Sequence, residues 1–197
     1  MKIVVFGPTG MIGSCIVTEL TERGHEVVGA SRTSGTDITD PAAVSAAVSG
    51  ADAVVCAVSA RGVDYTLADT ARSLLDGMRQ AGTTRVVAVG GTGSLEVAPG
   101  VRLLDTPEFP EEYKPEAAQG AEALAVYRGV SDLDWTYVSP GAFIHPGERT
   151  GRYQLGGDQF LTDANGNSEI SAEDYAIAIA DLLEQGSHTR ERVAVAW

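Results

Sequence analysis

The sequence predicts an α/β fold, a mostly parallel, doubly wound sheet with helices on both faces and a small C-terminal appendage. Three observations predict it. Strand and helix signals alternate through the first two thirds of the chain, the first strand runs straight into a glycine-spaced turn, and after Pro140-Gly141 the rhythm changes to short strands. Together they describe a Rossmann-like arrangement. At 197 residues the chain suits one well-packed domain and is short for two, so 1–197 is expected to form a single domain with 141–170 as a small appendage.

Each element has its own signal. Ile3 to Phe6 is an apolar run of the buried-strand kind, and the helix beginning near Met11 carries Ile12, Ile16 and Leu20 on one face. A second strand, Glu26 to Ser31, follows within one βαβ length. Next come a short helix near Pro41 to Ser49, a strand at Asp52 to Val58, a helix from about Tyr65 to Ala81 and a strand at Arg85 to Val89. A helix from about Glu111 to Gly129 and a strand at Trp135 to Ser139 complete the alternation. Residues 151–155 and 159–162 read as short strands before an Asn165-Gly166 turn. Ser171-Ala172-Glu173-Asp174 opens the last helix in the manner of a capping box, and Arg192 to Ala196 is a strand expected at the sheet edge.

The turn after the first strand carries most of the functional information. In Gly7-Pro8-Thr9-Gly10-Met11-Ile12-Gly13, Gly7 lets the backbone turn sharply, Gly10 leaves room for a pyrophosphate, and Gly13 lets the helix pack against the strand. The amides of the helix start, with its positive dipole end, face the phosphates. The spacing is Gly-x-x-Gly-x-x-Gly instead of Gly-x-Gly-x-x-Gly, so context carries the reading: strand before, amphipathic helix after, second strand beyond. Gly7, Thr9, Gly10, Met11, Ile12 and Gly13 are the expected phosphate-loop residues of an NAD(P)-binding domain.

The end of the second strand selects the cofactor. In place of the Asp or Glu that accepts ribose hydroxyls in NAD sites, the chain offers Ser31-Arg32-Thr33-Ser34. Arg32 suits a 2′-phosphate, with the hydroxyls beside it as further donors, so NADP(H) is expected over NAD(H). Asp37 is placed to accept the adenine amino group with Ile38 packed on the ring, or else Asp37 is a helix-start cap. Ala57, Val58 and Ser59 close the third strand with small side chains where the dinucleotide crosses, and Gly90 and Gly91 close the next, where a nicotinamide would lie.

Bulk properties narrow the partners. Acidic residues outnumber basic ones 27 to 14, a net charge of −13, which disfavours nucleic acid and anionic membranes and favours a soluble monomer or small homo-oligomer with a small-molecule acceptor. Cys15 and Cys56 read as small buried side chains, not a disulfide. With His25, His145 and His188 scattered, no metal site is expected. The chain enters a strand at once and has no apolar run of spanning length, so a cytoplasmic location is expected.

Candidates for chemistry are fewer. Thr92 or Ser94 is placed to hydrogen-bond a substrate carbonyl, although a glycine-rich turn with incidental hydroxyls explains the same residues. Tyr113 and Lys114 are adjacent, not a helical turn apart, so the Tyr-x-x-x-Lys pair of short-chain dehydrogenases is absent. Lys114 still has the reach for a ribose or phosphate, and Tyr113 lines the pocket or packs. His145 is the histidine nearest the expected cleft, or a surface loop residue.

Several blocks resemble one group: the glycine turn, 109–117 (Phe-Pro-Glu-Glu-Tyr-Lys-Pro-Glu-Ala), 133–140 (Leu-Asp-Trp-Thr-Tyr-Val-Ser-Pro), 146–151 (Pro-Gly-Glu-Arg-Thr-Gly), 155–158 (Leu-Gly-Gly-Asp) and 170–176 (Ile-Ser-Ala-Glu-Asp-Tyr-Ala). The chain resembles the NADH-flavin reductase group, atypical members of the short-chain dehydrogenase/reductase superfamily whose wider relatives include biliverdin reductase B-like enzymes and NmrA-like redox sensors. The resemblance implies an NAD(P)-binding Rossmann-like fold and, more loosely, reduction of flavin or another small planar, quinone or carbonyl acceptor. The leading expectation is an NADPH-dependent reductase, since flavin accepts hydride without a dedicated protein acid. A non-catalytic NADP-responsive sensor and a pathway-specific ketoreductase, epimerase or isomerase are the alternatives.

Overall fold

The computed structural model describes residues 1–197. Its parallel core strands are β1 (Lys2–Phe6), β2 (Glu26–Ala30), β3 (Ala53–Cys56), β4 (Arg85–Val89) and, counting the hairpin β5 (Glu96–Ala98) and β6 (Val101–Arg102), β7 (Asp134–Pro140). Beyond these lie β8 (Phe143–His145), β9 (Gln154–Gly156), β10 (Glu169–Ser171) and β11 (Glu191–Ala196). The helices are α1 (Met11–Glu22), α2 (Pro41–Val48), α3 (Leu67–Ala81), α4 (Lys114–Arg128) and α5 (Ala172–Gln185).

The main sheet has seven strands in the order β2-β1-β3-β4-β7-β11-β9, all parallel except β9. Parallel strands need helical crossovers, and the helices fall on two faces. One core packs α2, α3 and α4 on Val4, Val54, Val86 and Trp135; the other packs α1 and α5 on Ile3, Val55, Val87 and Val138. Adjacent residues of one strand therefore feed opposite cores, which is why β1 and β3 read as unbroken apolar runs.

Three expectations about the strands need correction. β11 is not an edge strand: β9 folds back antiparallel outside it, pairing Leu155 with Val195. Residues 159–162 form no strand either: their pairing with three-residue β5 stops at the single Glu96–Gln159 bridge. The short strand expected at 151–155 shifts to Gln154–Gly156, since 150–151 are held by the Asp174 carboxylate on α5. Segment 141–170 also forms the parallel pair β8–β10. No helix is long and apolar enough to cross a membrane.

Candidate functional site

The strand order changes direction at β1, where β2 lies on one side and β3 on the other. Such a switch point opens a crevice beyond the carboxyl ends of the strands. Gly7 sits there with φ +78°, and a Cβ on it would lie 2.4 Å from the carbonyl oxygen of Ala57, the residue after β3. A Cβ on Gly13 would lie 1.9 Å from the Gly7 carbonyl oxygen. The turn is thus closed around two backbone approaches that only glycine permits.

Gly10 caps α1 without any side-chain hydrogen bond, and the amides of Met11, Ile12 and Gly13 have no acceptor in the protein. Thr9, Gly10 and Met11 are exposed. Unpaired amides at an open helix start are an anion site, and the glycine turn leaves the main chain approachable. The residues present fit a pyrophosphate, and the structure sets Ala57 against Gly7 at the start of the turn that carries Thr9, Gly10, Met11, Ile12 and Gly13.

At the end of β2, Ser31 and Ser34 form a reciprocal capping box, Ser31 N–H to Ser34 Oγ at 2.9 Å and Ser34 N–H to Ser31 Oγ at 3.3 Å. The Ser31 hydroxyl also bonds Thr33 Oγ1 at 2.8 Å. These hydroxyls shape the loop, so the expectation that they serve as free donors is corrected. Arg32 stands exposed from it, with no hydrogen-bond or ion-pair partner, whereas most arginines of this chain are paired. Asp37 is a local turn cap: Thr39 donates its N–H at 2.9 Å and its O–H at 2.8 Å, and these bonds, then the Arg32 charge, hold the carboxyl below its usual range. The cap of α2 is Asp40, not Asp37. Ile38 is corrected too. It is 5% exposed, in the core cluster between the sheet and α2–α4, so it offers no open face to an adenine ring.

At the β4 end, the expected chemical residues behave differently from one another. Thr92 donates its hydroxyl hydrogen to Pro140 O at 2.9 Å, leaving only lone pairs for a ligand. Ser94 is buried and its Oγ accepts from Arg192 Nη1 at 2.9 Å, which takes it out of the cleft. Lys114 is ion-paired with Glu111, one turn before it, so its charge is already compensated. Tyr113 is 53% exposed and its hydroxyl has no partner. His145 donates Nδ1–H to Pro146 O at 2.9 Å and stacks at 4.9 Å on Phe143, which is 61% exposed. Val58 lines a narrow apolar recess with Cys56 and Tyr127, and Ser59 accepts from the Arg61 amide. Cys56 is buried, and burial pushes its thiol up to about 11, whereas Cys15 proves half-exposed.

The sequence blocks of the C-terminal third interlock with one another. Arg149 grips Glu19 of α1 with two bonds of 2.9 Å. Thr150 N–H, Gly151 N–H and Trp197 Nε1–H each donate at 2.8 Å to Asp174, which also receives the Thr150 hydroxyl. Asp158 takes Arg128 and Arg192, each at 2.7 Å. Reading the sequence missed Asp174 beyond its place in a helix cap; the only signal was that two motif blocks recur together.

Burial raises the Asp174 pKa, but the bonds from Thr150, Gly151 and Trp197 outweigh it and the carboxyl titrates below its usual range. A depressed folded pKa contributes stability that is complete above about pH 4 and is lost as pH falls through the folded value. Asp174→Asn is expected to cost about 2–4 kcal/mol at pH 7, because its amide hydrogens face donors. Urea midpoints should show this gap narrowing from pH 7 toward pH 2; an unchanged gap would mean that the charge contributes nothing.

Comparison with known proteins sets this geometry in a family. The profile described as NAD(P)H-binding matches residues 32–186. The chain belongs to the NAD(P)H-binding family. This NAD(P)H-binding chain is 40% identical over 208 residues to YwnB, an uncharacterised protein of Bacillus subtilis, covering 99% of this chain and 98% of YwnB. A structure described as a candidate exported protein from Burkholderia pseudomallei superposes with a TM-score of 0.92 and 44% identity, covering all of both chains. Another, described as a candidate NADH-flavin reductase from Streptococcus pneumoniae, gives 0.87 and 36%, covering all of this chain and 99% of the other. The resemblance read from the motif blocks is borne out at this level.

Proposed function

We propose that the protein is an NADPH-dependent reductase that passes a hydride to a small planar acceptor, flavin or a quinone being the first candidates. What carries the reading is the pairing of an open amide cradle at the β1–β3 switch point with an unpartnered Arg32 beyond β2. The cradle takes the pyrophosphate, and Arg32 takes the 2′-phosphate that distinguishes NADPH from NADH. When bound, the dinucleotide supplies the hydride.

The acceptor side of the cleft supports a planar partner. Exposed Phe143 and Tyr113 offer aromatic faces, while the hydroxyls of Thr92 and Ser94 are engaged elsewhere. An acceptor that needs no protein acid suits such a site, and the protein then contributes proximity, orientation and exclusion of water. The description of the pneumococcal structure points the same way. A cytoplasmic setting goes with this reading, where reduced dinucleotide is regenerated.

The test is oxidation of NADPH and of NADH by purified protein with FMN, FAD, riboflavin and quinones, alongside calorimetric binding of each dinucleotide. Acceptor-dependent oxidation that favours NADPH is the expected result. Tight binding without turnover on any acceptor would overturn the reductase in favour of a sensor, and turnover lost in Tyr113→Phe would favour a carbonyl reductase with a protein proton donor.

A further inference from the structure

The turn that follows β4 is held by hydroxyl groups the reductase reading does not use. Val138 O accepts both the Gly90 N–H at 2.7 Å and the Tyr175 O–H at 2.6 Å. Ser139 Oγ–H donates to Gly91 O at 2.9 Å, and Thr92 returns a bond to Pro140 O at 2.9 Å. Tyr137 donates to Gly120 O of α4 at 2.8 Å, and its ring occupies the space above Gly90, where a Cβ would fall 2.3 Å from a ring carbon. Tyr137 and Tyr175 come from successive layers, β7 and α5, and Ser139 and Tyr175 are wholly buried. One laced unit therefore runs from α5 through β7 and the 90–92 turn to α4.

A sheet of this kind needs no such lacing to be stable, since β7 already pairs with both β4 and β11 along its length. At the carboxyl edge, where β4 ends and the cleft begins, the lacing gathers about the 90–92 turn, whereas Thr136 nearer the amino end of β7 bonds His188 O at 2.7 Å. The bonds of Gly90, Ser139 and Thr92 hold the 90–92 turn directly, and those of Tyr137 and Tyr175 hold the strand behind it.

We infer that Ser139, with Tyr137 behind it, is a positioning residue that holds the Gly90–Thr92 turn in the shape that seats the nicotinamide end of the dinucleotide. The inference rests on the NADPH reading above. Ser139 touches no ligand in this account; it acts by fixing Gly91 O. Removing the hydroxyl leaves the part-buried Gly91 carbonyl without this partner and frees the turn.

The experiment compares calorimetric affinities for two probes, NADPH and 2′-phospho-ADP-ribose, which carries everything but the nicotinamide. In Ser139→Ala, NADPH affinity is expected to fall about five- to tenfold, the loss of one hydrogen bond, with 2′-phospho-ADP-ribose affinity unchanged. Tyr137→Phe should repeat the pattern more weakly, because its ring still fills the space above Gly90. Equal losses for both probes would mean that the hydroxyl only supports the fold, and no loss for either would mean that the turn needs no fixing; both overturn the inference. Wild-type protein that binds neither probe would instead overturn the NADPH reading.

Discussion

Gly13→Ala is expected to abolish dinucleotide binding, with affinity falling by at least about 100-fold, and to lower stability by about 2–3 kcal/mol. The new Cβ would stand 1.9 Å from Gly7 O, a backbone atom that moves only if the whole turn opens. Opening it separates α1 from β1 and misaims the free amides of Met11, Ile12 and Gly13. For a domain of this size, that loss is a fall in melting temperature of roughly 5–10 °C. Gly10→Val separates the two effects. Gly10 has φ −72° and ψ 166°, and a Cβ there meets nothing closer than 3.7 Å, so melting should be unchanged while binding falls at least about tenfold from lost approach to the main chain. Normal dinucleotide binding by both variants, read by calorimetry, would remove the cradle from this turn.

Arg32→Asp is expected to weaken NADPH by about 100-fold and to change NADH by less than about threefold. Loss of charge-assisted bonds to a phosphate accounts for about 1.5–3 kcal/mol, and a carboxylate in the same place adds repulsion. The neighbourhood sharpens the effect. Asp37 already lies within reach of the Arg32 charge, so the variant would place two carboxylates where one dianionic phosphate must sit. Folding should be untouched, because the loop is held by Ser31 and Ser34 and not by Arg32. Paired titrations with the two dinucleotides decide the matter: equal losses would show that Arg32 does not read the 2′-phosphate.

The residues on which these two expectations rest were legible in the sequence for a physical reason. A strand, a tight turn and a helix start are fixed by neighbours within about ten positions, so the glycine spacing carries its own meaning. The strand before, the Ile16–Leu20 face after and the Arg32 that ends the second strand all fell where the periodicity put them. The apolar runs of β1, β3 and β4 likewise announced burial on both faces.

The rest depended on partners distant along the chain. Nothing near Ser94 indicates that Arg192 will take its hydroxyl, 98 positions away, nor does anything near Thr92 indicate the Pro140 carbonyl 48 positions on. Ile38 sat in a plausible adenine position, but tertiary packing draws it into the core. β11 looked like an edge because the short strand signal at 151–155 does not say which strand it will pair with, and its antiparallel return onto β11 is a long-range contact. By itself the sequence determined the cradle, the α/β alternation and the place of Arg32, all set by local backbone conformation and hydrophobic period. Only the tertiary structure decided which hydroxyls are free, which carboxylates clamp the C-terminal third, and how the 90–92 turn is held, because each depends on long-range hydrogen bonds that no local pattern encodes.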